Sequence, residues 1–244
     1  MPSSEFEALS ASIHDLKANF LDFAKRDDGE YSLPERMKCR AFIAFAHAEV
    51  EHYLESLSLR ILDDAIAKWD SGRELGLVAG AILAFRRREK TAVPDDPMQP
   101  GTQNTLATIL MDAFNSHRAA IRRNHGIKPK DFAEIYTPLG VSAADLEESL
   151  LIQLGNSGAH RGDMVHRSSS VSLSMIRDPF ADEEKDVDFL VAELGKFDAK
   201  LQELKLYATA PAAAPMEVAE VAPNDEPEDA PVFADDPSAP NVGA

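Results

Sequence analysis

The sequence predicts an all-α protein: a single helical bundle of about five to six helices, followed by a disordered acidic tail. Three observations predict it. Apolar residues recur at three- and four-residue steps in segment after segment, the signature of one buried helical face. No segment of the first 207 residues shows a strong strand signal, and no repeat of solenoid length is visible. The last 37 residues combine Ala, Pro and acidic side chains with a single aromatic, a composition that cannot bury a core. Because each amphipathic stripe needs the others for burial, residues 1–207 are expected to form one domain, with 208–244 as the tail.

The first helix is expected from Glu5 to Lys25, where Phe6, Leu9, Ile13, Leu16, Phe20 and Phe23 share a face and Ser3 or Ser4 can cap the start. Charge and a glycine in Arg26-Asp27-Asp28-Gly29 should end it. Pro34 announces the second and longest helix, since proline suits a first helical turn. Its stripe is Phe42, Ala46, Val50, Tyr53, Leu57 and Ile61, widened by Phe45, Leu54, Leu62 and Ala65. So wide a stripe implies that more than one helix packs against it. Arg40, His47 and Glu51 form a polar line along one edge.

A short apolar helix over 73–85 leads into the basic run Arg86-Arg87-Arg88-Glu89-Lys90. Cations at a helix C-terminus are stabilised by about 0.3–1 kcal/mol each, so a solvated helix end accounts for this run; contact with RNA or an acidic partner is the alternative. Three prolines make 93–101 a loop. A third long helix is expected from Gln103 to Asn124, with Gly126 suited to its end, and a short one from Pro129 through Tyr136. Ser142-Ala143-Ala144-Asp145 has the spacing of a capping box, followed by Leu146, Leu150 and Leu154 at four-residue steps. Gly155 and Gly158 are expected to loosen the last turns of that helix, at about 1 kcal/mol each relative to alanine. Residues 168–174 alternate weakly and read as extended. Asp182, Glu183 and Glu184 suit a helix N-terminus, and Val187, Leu190, Val191, Leu194, Phe197, Leu201 and Leu204 mark the last helix, ending near Tyr207.

The formal charge of −17 is unevenly spread. Leaving out the tail, which has eight acidic residues and no Lys or Arg, the body carries −9. Binding of nucleic acid by bulk charge is therefore not expected, and RNA contact would need a local basic patch. One cysteine, Cys39, excludes an intramolecular disulfide and a cysteine zinc site. The N-terminal MPSSEFEALS lacks the basic and apolar regions of a secretory signal, and the longest apolar run is shorter than the roughly 20 residues a membrane helix needs. A soluble cytoplasmic protein without membrane contact is expected.

Reactive side chains concentrate in Gly155–Arg167, GNSGAHRGDMVHR. His160, Asp163 and His166 at three-residue steps could present metal ligands, yet no other ligand sits at a telling distance, and no phosphate-binding glycine pattern follows a strand. Neither metal nor cofactor is expected. Arg161 and His166 suggest other chemistry. RNA can be cut when a base takes the ribose 2′-OH proton, an acid protonates the departing 5′ oxygen and a cation stabilises the phosphorane. Histidine suits the proton transfers at neutral pH, and arginine's planar fork suits the phosphate.

Arg161-Gly162-Asp163-Met164-Val165-His166 resembles the R-x4-6-H motif of the HEPN superfamily. Arg40/His47 and Arg118/His125 have permitted spacings too, but only Arg161/His166 follows a capped leucine-rich helix and precedes a final helix, where that family carries its motif. Asn124-His125-Gly126-Ile127-Lys128, Pro138-Leu139-Gly140-Val141, Leu150 to Leu154 and the motif resemble, in order, the RiboL-PSP type of HEPN domain, and Arg40 through Glu51 resembles its early helix.

The resemblance implies an all-α, often dimeric, metal-independent ribonuclease of toxin–antitoxin, antiviral or RNA-processing systems. It implies Arg161 and His166 as catalytic residues and a 2′,3′-cyclic phosphate product. Arg40, His47, Glu51, His160 and Asp163 would support the pair, with Glu51 expected to hydrogen-bond Arg161. Arg86, Arg87, Arg88 and Arg167 would contact RNA, and a protein antitoxin or regulator would be a further partner. Many active family members carry Asn, Asp or His after the motif arginine, where this chain has Gly162. The alternative is a non-catalytic scaffold binding RNA or a protein.

Overall fold

A computed structural model describes residues 1–86, 106–166, 173 and 175–207, the side chains of Val165 and His166 excepted. Contacts divide the chain into Met1–Thr209 and Ala210–Ala244. The expected tail, the loop at 93–101, Arg87, Arg88, Arg167 and nearly all of the expected extended segment lie outside the described residues.

The described residues are helical, with no strand among them. They form α1 (Ser4–Phe20), α2 (Leu33–Gly72), α3 (Leu77–Arg86), α4 (Leu106–Arg122), α5 (Pro129–Tyr136), α6 (Glu148–His166) and α7 (Glu184–Glu203). The sequence expectation of five to six helices is thus exceeded. Short 3-10 turns occur at Thr137–Leu139 and Ala143–Asp145, and a π-turn, Pro179–Glu183, feeds α7.

Helix α2 is the axle. Its 40 residues span about 60 Å at 1.5 Å per residue. The Ser32 amide donates to Glu35 Oε2 at 2.7 Å, part of a capping box that starts the helix, and Arg73 in the left-handed region (φ 55°) ends it. Every other helix touches α2. That is the consequence of its wide stripe: Phe42, Ala46, Val50, Tyr53, Leu54, Leu57, Ile61, Leu62 and Ala65 are all buried. Phe45 departs from expectation, being 51% exposed and stacked on Phe20 at 5.4 Å on the outer side of α2.

The ends of the bundle are tied together. Ser3 caps α1 by accepting from the Phe6 amide at 3.1 Å, while its own amide donates to the buried Asp198 of α7 at 2.9 Å. Phe132 and Tyr136 of α5 stack at 4.7 Å and meet Phe197 of α7 edge-on. The Tyr136 hydroxyl donates to the Leu54 carbonyl at 2.8 Å, which fixes α5 to α2.

Two local expectations are corrected. The capping box at Ser142/Asp145 exists but caps the 3-10 turn Ala143–Asp145, and α6 begins only at Glu148. Gly155 and Gly158 do not loosen α6, which runs unbroken to His166. Gly158 provides clearance where α6 crosses the start of α5, whereas a side chain at Gly155 would meet only ordinary contact. A Cβ on Gly158 would sit 2.8 Å from Lys128 Cγ, and one on Gly155 3.7 Å from Pro129 Cδ. The helix-propensity loss of about 1 kcal/mol at Gly158 therefore permits close packing of α6 on α5.

Candidate functional site

Helix α6 carries a polar face inside a leucine-rich helix. Gln153, Asn156, Ser157 and His160 recur at three- and four-residue steps and point toward α2 and the turn before α7. Opposite them stand Ile43, Ala46, His47 and Val50 of α2, and Val187 and Leu190 of α7. Between these walls lies a cavity of about 290 Å3.

Its floor is charged. Asp178 caps the π-turn by accepting from the Phe180 amide at 2.9 Å and the Ala181 amide at 2.6 Å. Glu183 closes that turn and is buried, at 2% exposure. Both of its oxygens lie 3.0–3.1 Å from His160 Nε2. Arg177 donates to the same carboxylate through its amide (3.1 Å), Nε (3.2 Å) and Nη2 (3.0 Å), and Nη2 also reaches Asp186 at 2.7 Å. Burial pushes the Glu183 carboxyl up, but the hydrogen bonds from His160 and Arg177 outweigh it and hold it below its ordinary value. Gln153 Nε2 donates to the Asp186 carbonyl at 3.0 Å, joining α6 to α7.

His47 differs from these groups in having an unsatisfied atom. It is 6% exposed, lines the cavity, and its Nδ1 has no hydrogen-bond partner among the described residues. Burial first, and the charge of Arg161 second, push its pKa down to about 4, so the ring is neutral at pH 7. The structure therefore sets Arg161 near His47, linking the motif helix to the polar line of α2. Arg40, at the other end of that line, donates from Nη2 to the Met164 carbonyl at 2.8 Å, satisfying an end-of-helix acceptor of α6.

The remaining expected site residues are more scattered. Arg161, Gly162 and Asp163 are partly exposed on the last turns of α6, and a Cβ built on Gly162 would meet no described residue from outside its own turn within 4 Å. The backbone of His166 closes that helix; its side chain is outside the described residues. Glu51 lies one turn beyond His47, and among the described residues no hydrogen bond or ion pair joins it to Arg161; its charge acts on Glu55. Arg86 faces inward, its Nη2 3.1 Å from Nδ1 of the buried His117 and 3.3 Å from the Glu134 carbonyl, which it bonds.

His160 reads from sequence as one supporting group among several, and the structure makes it a centre of the floor. Arg177, Glu183, Asp186 and the α6 residues Gln153, Asn156 and Ser157 escape the sequence reading. The α6 set had a signal in its spacing, a polar stripe where a leucine helix should be apolar. Glu183 had none, since an acidic residue before a helix is expected on dipole grounds alone.

Among the described residues no group of three or more His, Cys, Asp or Glu is arranged to hold a metal ion. No helix among them is long and apolar enough to cross a membrane. Compared with protein-family models, curated proteins and solved structures, the chain matches none.

Proposed function

We propose that the protein is a metal-independent RNA endonuclease acting at the C-terminal end of α6, with Arg161 holding the scissile phosphate and His166 transferring a proton. The observation that carries this reading is the state of Arg161. It sits on the last turns of a helix that also bears His166, it is partly exposed, and it makes no hydrogen bond or ion pair with any described residue. A guanidinium whose donors no described residue engages can take an anion from outside. The resemblance of Arg161 through His166 to the HEPN motif supplies the class of reaction.

Helix geometry supports a homodimer. Five residues along a helix turn by about 140°, so positions 161 and 166 of α6 do not share one face. A second copy contributing the same pair across a two-fold axis would supply base, acid and cation together. His166 on one side removes the 2′-OH proton, the histidine opposite protonates the leaving 5′ oxygen, and the product is a 2′,3′-cyclic phosphate.

The decisive experiment is controlled expression of the parent and of His166→Ala in a bacterium, with mapping of RNA 3′ ends, paired with purified protein acting on RNA in EDTA. Cyclic-phosphate ends from the parent alone are expected. Intact RNA in EDTA, or equal cutting by His166→Ala, would sink the proposal. Gly162, which offers no polar side chain beside Arg161, favours a second reading as a scaffold that binds RNA or a protein without cutting. RNA capture by the parent that Arg161→Ala abolishes, with no cleavage by either, is the result expected of an RNA-binding scaffold.

A further inference from the structure

The cavity between α2, α6 and α7 lies next to the segment of α6 that carries Arg161, which is not among the described residues lining it. Arg161 comes directly after His160 in the chain, and its charge bears on His47, yet it is not part of the cavity wall. We infer that this cavity takes one extruded nucleobase of single-stranded RNA, an inference resting on the nuclease reading for the nature of its ligand and on the cavity for its place.

The wall chemistry selects the ligand. Arg177, the one Lys or Arg among the described residues that line it, is bonded to Glu183 and Asp186, so these walls bring no unpaired arginine or lysine charge. A phosphate placed there would be desolvated beside two carboxylates. A neutral group meets no such cost. Ile43, Val50, Val187 and Leu190 offer apolar walls for a flat ring.

Hydrogen-bonding groups line the rest. Gln153 has one amide N–H committed to the Asp186 carbonyl, which leaves its oxygen as an acceptor. Asn156 is exposed at the mouth with an amide that both donates and accepts. His47 presents Nδ1, buried and without a partner among the described residues. Donors and acceptors around an apolar slot are what a base edge requires. At about 290 Å3 the cavity is at the small end of ligand sites, which run from about 300 to 1,000 Å3, and suits one ring system. With the base inside, the attached phosphate stays outside on the Arg161 side.

The test uses the full chain with histidine labelled in 15N, titrated separately with adenosine, guanosine, cytidine and uridine. At least one nucleoside should shift the His47 Nδ1 resonance in a saturable way. Ser157→Met, which narrows the slot, and Asn156→Ala, which removes a base-edge partner, should each weaken that binding by about tenfold. Both substitutions improve helix propensity, and their melting temperatures report that the fold is intact. The second arm compares RNA with the same RNA carrying an abasic ribose at the cleaved position, which should be cut at least about tenfold more slowly.

No shift of His47 by any nucleoside at millimolar concentration overturns the inference. So does binding that ignores both variants, or abasic RNA cut at the parent rate. Saturable binding sensitive to both variants, in a protein that cuts no RNA, leaves the base pocket standing and removes the nuclease.

Discussion

Two of the described histidines are buried near an arginine, and they have different neighbourhoods. His47 on α2 and His117 on α4 both have pKa values pushed down to about 4, by burial first and a nearby guanidinium second. At His117 the arginine is bound in. Arg86 Nε and Nη2 lie 3.3 and 3.1 Å from His117 Nδ1, and Nη2 also donates to the Glu134 carbonyl, so the side chain closes α3 against α4 and α5. The Ile135 backbone beside the ring pulls the His117 pKa back up in part, although among the described residues no hydrogen bond of normal geometry reaches Nε2. At His47 the arginine acts through its charge alone, and Nδ1 belongs to a residue on a cavity wall. A depressed histidine pKa therefore does not mark function by itself. The two sites are separated by whether described residues take up the arginine's donors.

The largest effect should come from breaking that distinction at the open site. Under the nuclease reading, Arg161→Ala removes the group that stabilises charge developing on phosphorus, and cleavage should fall by about 10²–10³-fold. Urea denaturation should detect little change, since Arg161 bonds no described residue. A variant that loses stability and keeps its cleavage rate would place Arg161 with Arg86 among the packing arginines.

The floor of the cavity comes next. Glu183→Ala leaves His160 and Arg177 facing each other without their shared carboxylate. Arg177 is 45% exposed, so solvent screens part of the loss, and about 2–3 kcal/mol of stability should go. Glu183→Gln keeps the shape and some hydrogen bonds and should cost less. Because the folded-state pKa of Glu183 is lowered, its ionised form stabilises the protein above the ordinary value of 4.5, and that contribution is lost as pH falls through the folded value.

The histidines act in a window at higher pH. Each has a folded pKa of about 4 against an ordinary 6.5, so between these values the unfolded chain binds more protons and stability rises with pH. The contribution is complete above 6.5 and falls away toward 4. By pH 5 each histidine should have lost about 2 kcal/mol of stabilisation. Urea midpoints at pH 7 and pH 5 measure the sum, and His47→Gln and His117→Gln should each flatten the dependence by a similar amount. If only one variant does so, the two sites are not electrostatic equals and the comparison fails.

Interactions that are local in sequence were legible in the chain, and those that are not were hidden. The width of the α2 stripe announced a helix touched from several sides, and every other helix touches it. Pro34 marked the start of α2 because its effect is confined to one turn. Gly158 misleads for the opposite reason: propensity describes an isolated helix, whereas the residue answers to Lys128, thirty positions away in sequence. Arg40 and His47 stand out as a polar line, and the structure brings both to α6. Glu51, the third member, does not bond Arg161, because a line on one helix does not say how far a neighbour reaches. Glu183 carries no signal, since its importance comes from His160 and Arg177, which the fold brings to its buried carboxylate.

The smallest predicted effect is at the closed site, and it separates charge from bonding. Arg86→Ala removes hydrogen bonds to a neutral ring and a carbonyl, and should cost about 1–2 kcal/mol. It also removes the charge that helps hold the His117 pKa down, so that pKa should rise part of the way toward 6.5 while burial keeps it below. A folded value nearer the unfolded one shrinks the stability lost between pH 7 and pH 5. Arg86→Lys keeps a positive charge but not the planar fork that spans His117 and Glu134. It should therefore lose stability at pH 7 as the alanine variant does, yet retain the parent's pH dependence. If the lysine variant instead matches the parent at pH 7, charge alone holds His117, and the closed site then differs from His47 only in having no cavity beside it.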